Sequence, residues 1–318
     1  MKILFITSYR KGKGISPFVK TQADSLLEKG VKIYWFSIIG EGLSGYVKSI
    51  FLLKKLLKKK KYDILHAHFG FCGIVAKCAV TKEKVVVSFL GDDLMGSLSA
   101  NGKYSIIGKV FVFINKFFAN FLFDYNIVKS TSLAINIRKK QNLSIIPNGV
   151  NLDLFRVMDK IQSRKILALP PNKKIIIFVG NPDRHVKNYI LAQKAFELIK
   201  TKFDAILIPF KNIPFEQIPR YYNAADVALL TSFHEGSPNV IKEAMASNCP
   251  IVATNVGDIE RVTNDTHNCF VCRFDEKELA EKMEIVLSDG SRTNGRENVT
   301  DLEIGLIADK IIGIYENL

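Results

Sequence analysis

The chain has 318 residues, 47% of them hydrophobic, and a formal charge of +14. That length exceeds one ordinary core and suits two domains of about 150 residues each. The positive balance points toward phosphates, nucleic acid or an anionic membrane surface, and its sign alone does not choose among them. Five scattered cysteines, an odd number, exclude a disulfide scaffold and fit free thiols in a reducing compartment.

The amino-terminal "MKILFITSYRK" is not a signal peptide, because most of the local basic charge follows its apolar stretch instead of preceding it. Short β-rich runs then alternate with helical patterns. In the first half the predicted strands are "KILFITS", "KIYWFSI", "DILHAH", "KVVVSFL" and "YNIVKS", with helices over residues 18–29 and 47–60. The apolar segment "SIIGKVFVFINKFFANFLF" is broken by Lys109, Asn115, Lys116 and Asn120, so no membrane-spanning helix is read there. Turn chemistry at Pro147, Asn148 and Gly149, and again at Pro170, Pro171 and Asn172, marks the join between halves. The second half repeats the plan with "KIIIFVG", "DAILIPF", "DVALLTS", "PIVATNV" and "NCFVCRF". Strands this apolar, separated by helices, indicate parallel sheets covered on both faces, hence two doubly wound α/β domains. The expected boundaries are 1–150 and 151–300, with 301–318 a closing helix able to pack back on the first domain. No tandem repeat or low-complexity tail is present.

"FHEGSPNVIKE" follows the buried strand "DVALLTS", at the carboxyl end where open parallel sheets face their ligand crevice. Ser237 is expected to cap the next helix, with Pro238 at its first position. The amino end of that helix offers free amides and a positive dipole end to a phosphate. Glu243 lies about 7–8 Å further along the axis, and Glu235 lies in the loop. A nucleoside-diphosphate sugar has a matching layout of ribose, diphosphate and sugar, its hydroxyls suited to two carboxylates. Taken singly, each glutamate would be a solvated surface charge; loop, helix start, spacing and strand end together favour a site. In "GNPDRHVKN", Arg184 and Lys187 stand at a second strand end as donors to a diphosphate.

These residues resemble the E-x7-E motif of the retaining glycosyltransferases of family 4, enzymes of the GT-B fold. The likeness continues through "YYNAADVALLTS", "AMASNCPIVATNVGDIERV" and "KIIIFVGNPDRHVKN", and more thinly through "IIPNGVNLDLF", "YDILHAH" and "GISPFVKTQADSL". It implies two Rossmann-like domains facing a central cleft, acceptor side first and nucleotide-sugar side second. It implies that Glu243 holds the ribose hydroxyls, and that Glu235, Gly236, Ser237, Pro238 and Asn239 line the transferred sugar and phosphates. Lys187 matches the phosphate-binding lysine. The arginine that usually follows the glycine is replaced by Asn181, leaving Arg184 as its substitute from a longer loop. Gly14 matches the glycine that lets the first loop approach the diphosphate.

A histidine common after the fourth strand is absent, Leu90 standing in its place. His68, Asp92 and Asp93 remain as acceptor-side candidates, with a packed strand end and a loop turn as the open alternatives. The resemblance implies transfer with retention and no required metal or cofactor. Asp92 and Asp93 lack the neighbours of a metal site, and Cys269 with Cys272 forms a single C-x-x-C with no second pair. "SIFLLKKLLKKKKYD", residues 49–63, mixes apolar residues with lysines, so the segment 48–61 suits either an anionic membrane surface or a packed helix with a solvated face. The resulting expectation is a cytoplasmic enzyme, able to sit on the inner face of the cell membrane. It would move a hexose from a UDP- or GDP-sugar to a saccharide or lipid-linked acceptor in envelope or exopolysaccharide synthesis. An epimerase or hydrolase on the same plan, or a non-catalytic sugar-nucleotide binder, are the alternatives; no nucleic-acid recognition motif is present.

Overall fold

The computed structural model describes residues 1–8, 14–40, 42–80, 82–96, 106–138 and 140–318. Within them the chain divides into one unit of Met1–Gly149 with Ile304–Leu318, and a second of Val150–Glu303. The first unit runs β1 (Lys2–Ser8), α1 (Pro17–Glu28), β2 (Lys32–Ile38), α2 (Gly42–Lys59), β3 (Ile64–His68), α3 (Gly70–Ala79), β4 (Lys84–Ser88), α4 (Asp92–Met95), α5 (Ile106–Phe121), β5 (Tyr125–Val128), α6 (Thr131–Ala134) and β6 (Leu143–Ile145). The second runs α7 (Lys160–Ile166), β7 (Lys174–Phe178), α8 (Tyr189–Lys200), β8 (Ala205–Pro209), α9 (Ile218–Ala224), β9 (Val227–Leu230), α10 (Asn239–Ala246), β10 (Ile251–Thr254), α11 (Ile259–Thr263), β11 (Cys269–Cys272) and α12 (Glu276–Asp289), after which α13 (Ile304–Glu316) returns to the first unit.

Both sheets are wholly parallel. The strand orders are β2-β1-β3-β4-β5-β6 and β11-β10-β9-β7-β8. Read from its second strand, each sheet begins 2-1-3-4-5, so the winding reverses between β1 and β3 in one and between β7 and β9 in the other. Such a reversal splays the loops that leave its two strands and opens a crevice at their carboxyl ends.

Alternation along the strands builds two cores per sheet. In the first unit Leu4, Ile6, Leu65, Ala67, Val85 and Val87 pack against Leu53 and Leu57 of α2, Val75 and Ala76 of α3, and Ala119 of α5. On the opposite face Phe5 meets His66 and His68, and His66 hydrogen-bonds Tyr315 of α13. In the second unit Ile176, Phe178, Val227, Leu229 and Val252 pack against α8 and α12. Burial of these β-branched and aromatic chains, each contributing about 1.5–3 kcal/mol, makes the strand ends rigid supports for the loops they carry.

The segment "FVFINKFF" forms part of α5, and among the described residues no helix is long and apolar enough to cross a membrane. Strand β6, only three residues long at a sheet edge, is absent from the strands read in the sequence.

Candidate functional site

At the reversal point of the second sheet, the loop after β7 carries Lys187 and the loop after β9 carries Glu235. Lys187 Nζ donates to Glu235 Oε1 at 2.5 Å, and both side chains are mostly buried. Ser232 Oγ donates to the same oxygen at 2.8 Å. Hydrogen bonds lock the two loops together: Phe233 N donates to Val186 O at 2.9 Å, and the Thr231 hydroxyl donates to the carbonyls of Lys187 and Asn188 at 3.1 and 2.9 Å. Gly180 leaves room beneath the lysine, since a Cβ there would stand 3.2 Å from Lys187 Cγ and Cδ and push the stem aside.

Glu243 follows on α10, partly exposed. Tyr222 Oη donates to Glu243 Oε2 at 3.2 Å and to Val240 O at 3.0 Å. Arg292 in turn holds the carbonyls of Tyr222, Ala225 and Ser247 at 2.8–3.0 Å, fixing the end of α9 against the end of α10. Burial pushes the Glu243 carboxyl up to about 7, against the pull of Tyr222, Lys242 and Lys187.

The start of α10 departs from the sequence reading. Pro238, extended at φ −70° and ψ 117°, is the capping residue itself, and α10 begins at Asn239. Ser237 does not cap it; its hydroxyl donates to Asp258 Oδ2 at 2.9 Å. The reason is a loop 21 residues downstream. Gly257, at φ +66°, packs so closely that a Cβ would lie 2.8 Å from Gly236 O, which brings Asp258 onto Ser237. Without a side-chain cap, the first amides of α10 remain available to an anion beside Lys187. Gly236, Ser237 and Pro238 are buried, while Asn239 is partly exposed and its Oδ1 meets no hydrogen-bond donor.

With this geometry in place the chain can be set beside known proteins. Residues 15–154 match the family model described as Glycosyltransferase Family 4, and residues 204–289 match the one described as Glycosyl transferases group 1. Both units therefore carry glycosyltransferase sequence. Over 244 residues it is 25% identical to a UDP-Gal:alpha-D-GlcNAc-diphosphoundecaprenol alpha-1,3-galactosyltransferase of Escherichia coli, an alignment covering 66% of this chain and 62% of that protein. Among solved structures it resembles a sucrose-phosphate synthase from Thermosynechococcus elongatus at a TM-score of 0.84 and 18% identity, covering 100% of this chain and 98% of the other. It also resembles HepE of Anabaena, solved with UDP and glucose, at a TM-score of 0.73 and 16% identity with full coverage of both chains. The fold is therefore GT-B.

The remaining candidates lie on both units. Arg184 is exposed on the loop after β7, three residues before Lys187, and Asn181 accepts from the Asp183 amide at 2.9 Å. Gly14 has φ +64° and open space where a Cβ would stand, so glycine is demanded there by backbone conformation and not by crowding. The preceding residues of that loop, 9–13, lie outside the described residues. In the first unit His68 is 3% exposed, stacked on His66 at 4.4 Å, and neither ring nitrogen meets a hydrogen-bond partner; burial holds it neutral.

The aspartates correct the reading of a simple loop turn. Both belong to the short helix α4, Asp92 exposed and Asp93 buried. Asp93 accepts from the amides of Gly70, Leu90 and Gly91 at 3.0–3.2 Å, tying the loop after β3 to the loop after β4. Burial raises its carboxyl to about 6 in spite of those amides. The C-x-x-C thiols lie on β11, where burial pushes each up to about 12 and away from reactive thiolate chemistry.

Sequence reasoning passed over Tyr222, Ser232, Lys242 and Asp258. Lys242 is buried on α10, and burial lowers it to about 8 while Asp258 opposes that shift. The only sequence signal for it was a charged residue on the inward side of an amphipathic helix.

Proposed function

We propose that the chain is a retaining hexosyltransferase that uses a UDP- or GDP-linked sugar and needs no metal. The Lys187–Glu235 pair beside the uncapped start of α10 supports this reading most. The diphosphate sits on the first α10 amides and on Lys187, with Arg184 reaching in from its loop. Glu243 accepts from the ribose hydroxyls. Glu235 accepts from the transferred sugar and, with Ser232, keeps the lysine aimed. Gly14 suits a loop that comes close to a diphosphate, and His68, Asp92 and Asp93 mark the acceptor side of the first unit, Asp93 by holding two loops in place.

In the transfer step the bond from sugar C1 to the β-phosphate oxygen breaks, and its electron pair goes to that oxygen. The acceptor hydroxyl forms the new bond to C1 on the same face and passes its proton to a phosphate oxygen. Negative charge grows on the diphosphate as the bond lengthens, so donors fixed beforehand stabilise the transition state more than the ground state. The acceptor is a saccharide or a lipid-linked saccharide of envelope or exopolysaccharide synthesis. The E. coli relative's printed name, with its diphosphoundecaprenol acceptor, supports the lipid-linked form. This work would be done in the cytoplasm, at the inner face of the cell membrane.

A thermal-shift panel of UDP-, GDP- and ADP-sugars tests the reading. One nucleotide class is expected to stabilise the protein by about 2.7 kcal/mol at a hundredfold excess over its Kd. A flat response across all three classes would overturn it.

A further inference from the structure

Helix α5 is amphipathic in the wrong sense for a packed helix. Its buried positions are Asn115, which donates to Asp93 O, and the small Ala119. Phe118 packs on the core from the side, but six other large apolar residues face outward: Ile106, Ile107, Val110, Phe113, Phe117 and Phe121 are all exposed, with Ile106 81%, Phe113 71% and Phe121 70% accessible. At about 100° per residue these six span roughly a 120° arc, and Lys109 and Lys116 border it on one side. Monomeric soluble proteins rarely leave so continuous an apolar stripe in water.

The neighbouring helices extend the same character. Tyr46 of α2, Phe71 of α3 and Phe111 of α5 form an aromatic chain with centroids 5.4 and 4.8 Å apart, which places the three helices side by side on one face of the sheet. On α2, Leu43, Val47 and Phe51 are exposed at four-residue spacing. Together α2, α3 and α5 carry Lys48, Lys54, Lys55, Lys58, Lys59, Lys77, Lys109 and Lys116, and not one aspartate or glutamate. The opposite face of the sheet carries the acids: Asp24 and Glu28 on α1, Asp309 and Glu316 on α13. Lys77 is paired with Asp124 at 2.8 Å, and Asp92 is exposed on the neighbouring α4, which leaves α2 and α5 as the unopposed basic helices. A layer that is apolar at its centre and basic around it matches an anionic bilayer, where aromatic and aliphatic side chains enter the headgroup boundary and lysines stay at the phosphates.

We propose that the exposed face of α5 is the membrane-inserting element of this protein, seated in anionic lipid and steered there by the lysines of α2. The stripe begins at the amino end of α5, and hence at the carboxyl end of the sheet, where His68 and Asp93 stand. A lipid-linked acceptor would thus be presented from the same surface. The seating itself stands apart from the transferase reading, since it rests on the first unit alone.

The test is flotation of the full chain with vesicles of phosphatidylglycerol or of phosphatidylcholine, comparing wild type with the triple variant Phe113→Ser, Phe117→Ser, Phe121→Ser. Because these rings are exposed, the variant is expected to keep its melting temperature and its response to the nucleotide sugar. Wild type is expected to float with phosphatidylglycerol and to keep a measurable fraction bound at about 0.5 M salt, where charge attraction is screened within a few Å. The variant is expected to bind about tenfold or more weakly and to be released completely by that salt. Equal binding by the two proteins would overturn the proposal, as would failure of wild type to float with phosphatidylglycerol. A concentration-dependent wild-type dimer that the variant abolishes, without lipid binding, would instead make α5 a contact between copies and would also overturn it.

Discussion

Lys187→Ala is expected to lower kcat by about 10²–10³-fold, the loss typical of removing one preorganised donor from a developing anion. The ammonium is held by Glu235 at 2.5 Å, and its stem runs close over Gly180, so it is the donor fixed in advance on this loop. Binding of the ground-state donor should weaken less than turnover, because charge on the leaving phosphate grows as the bond breaks. Truncation also strands Glu235, mostly buried beside Ser232, and a stability loss of about 1–3 kcal/mol is expected with the fold retained. Circular dichroism separates the two effects: a folded protein with wild-type kcat would remove Lys187 from the transfer step.

Glu243 gives the second large effect, and its sign can be worked out in advance. Burial raises its carboxyl from the usual 4.5 to about 7 in the ligand-free protein. Above that pH it is ionised and accepts both ribose hydroxyls; below it the acid form offers a poorer acceptor. Donor affinity is therefore expected to fall by up to about tenfold in all as pH drops through 7, and to level off above it. Stability should run the other way. A carboxyl whose folded value lies above its unfolded one favours the folded state at low pH, and this contribution fades as pH rises from 4.5 toward 7. Glu243→Gln is expected to flatten the affinity profile and to weaken binding about tenfold at pH 8, by losing charged hydrogen bonds. Titration calorimetry at pH 6, 7 and 8 measures both, and a wild-type profile without slope would remove Glu243 from the ribose.

The two parallel sheets were legible because runs such as "KIIIFVG" and "DVALLTS" are apolar at nearly every position, which only strands covered on both faces require. The same property blurred their ends: Val179 and Gly180 are as buried as Phe178, yet lie beyond the last strand residue. β6 escaped because "LSI" is short, half exposed and at a sheet edge, so it carries no such pattern. At the site, the spacing of Glu235 and Glu243 with Lys187 on another loop could be read from the chain. What Ser237 does could not. Its local neighbours favour a helix cap, but a contact with Asp258, set by the crowding of Gly257 on Gly236, takes its hydroxyl instead. Tyr222 and Arg292 were invisible for the same reason, since their roles depend on burial and on partners 18 to 70 residues away.

The most direct measurement is a crystal structure of the protein with its preferred nucleoside diphosphate. The account predicts a β-phosphate oxygen within about 3 Å of Lys187 Nζ and of the first α10 amides, with both ribose hydroxyls on Glu243. A nucleotide bound elsewhere, with Lys187 still closed on Glu235 and Glu243 untouched, would contradict it.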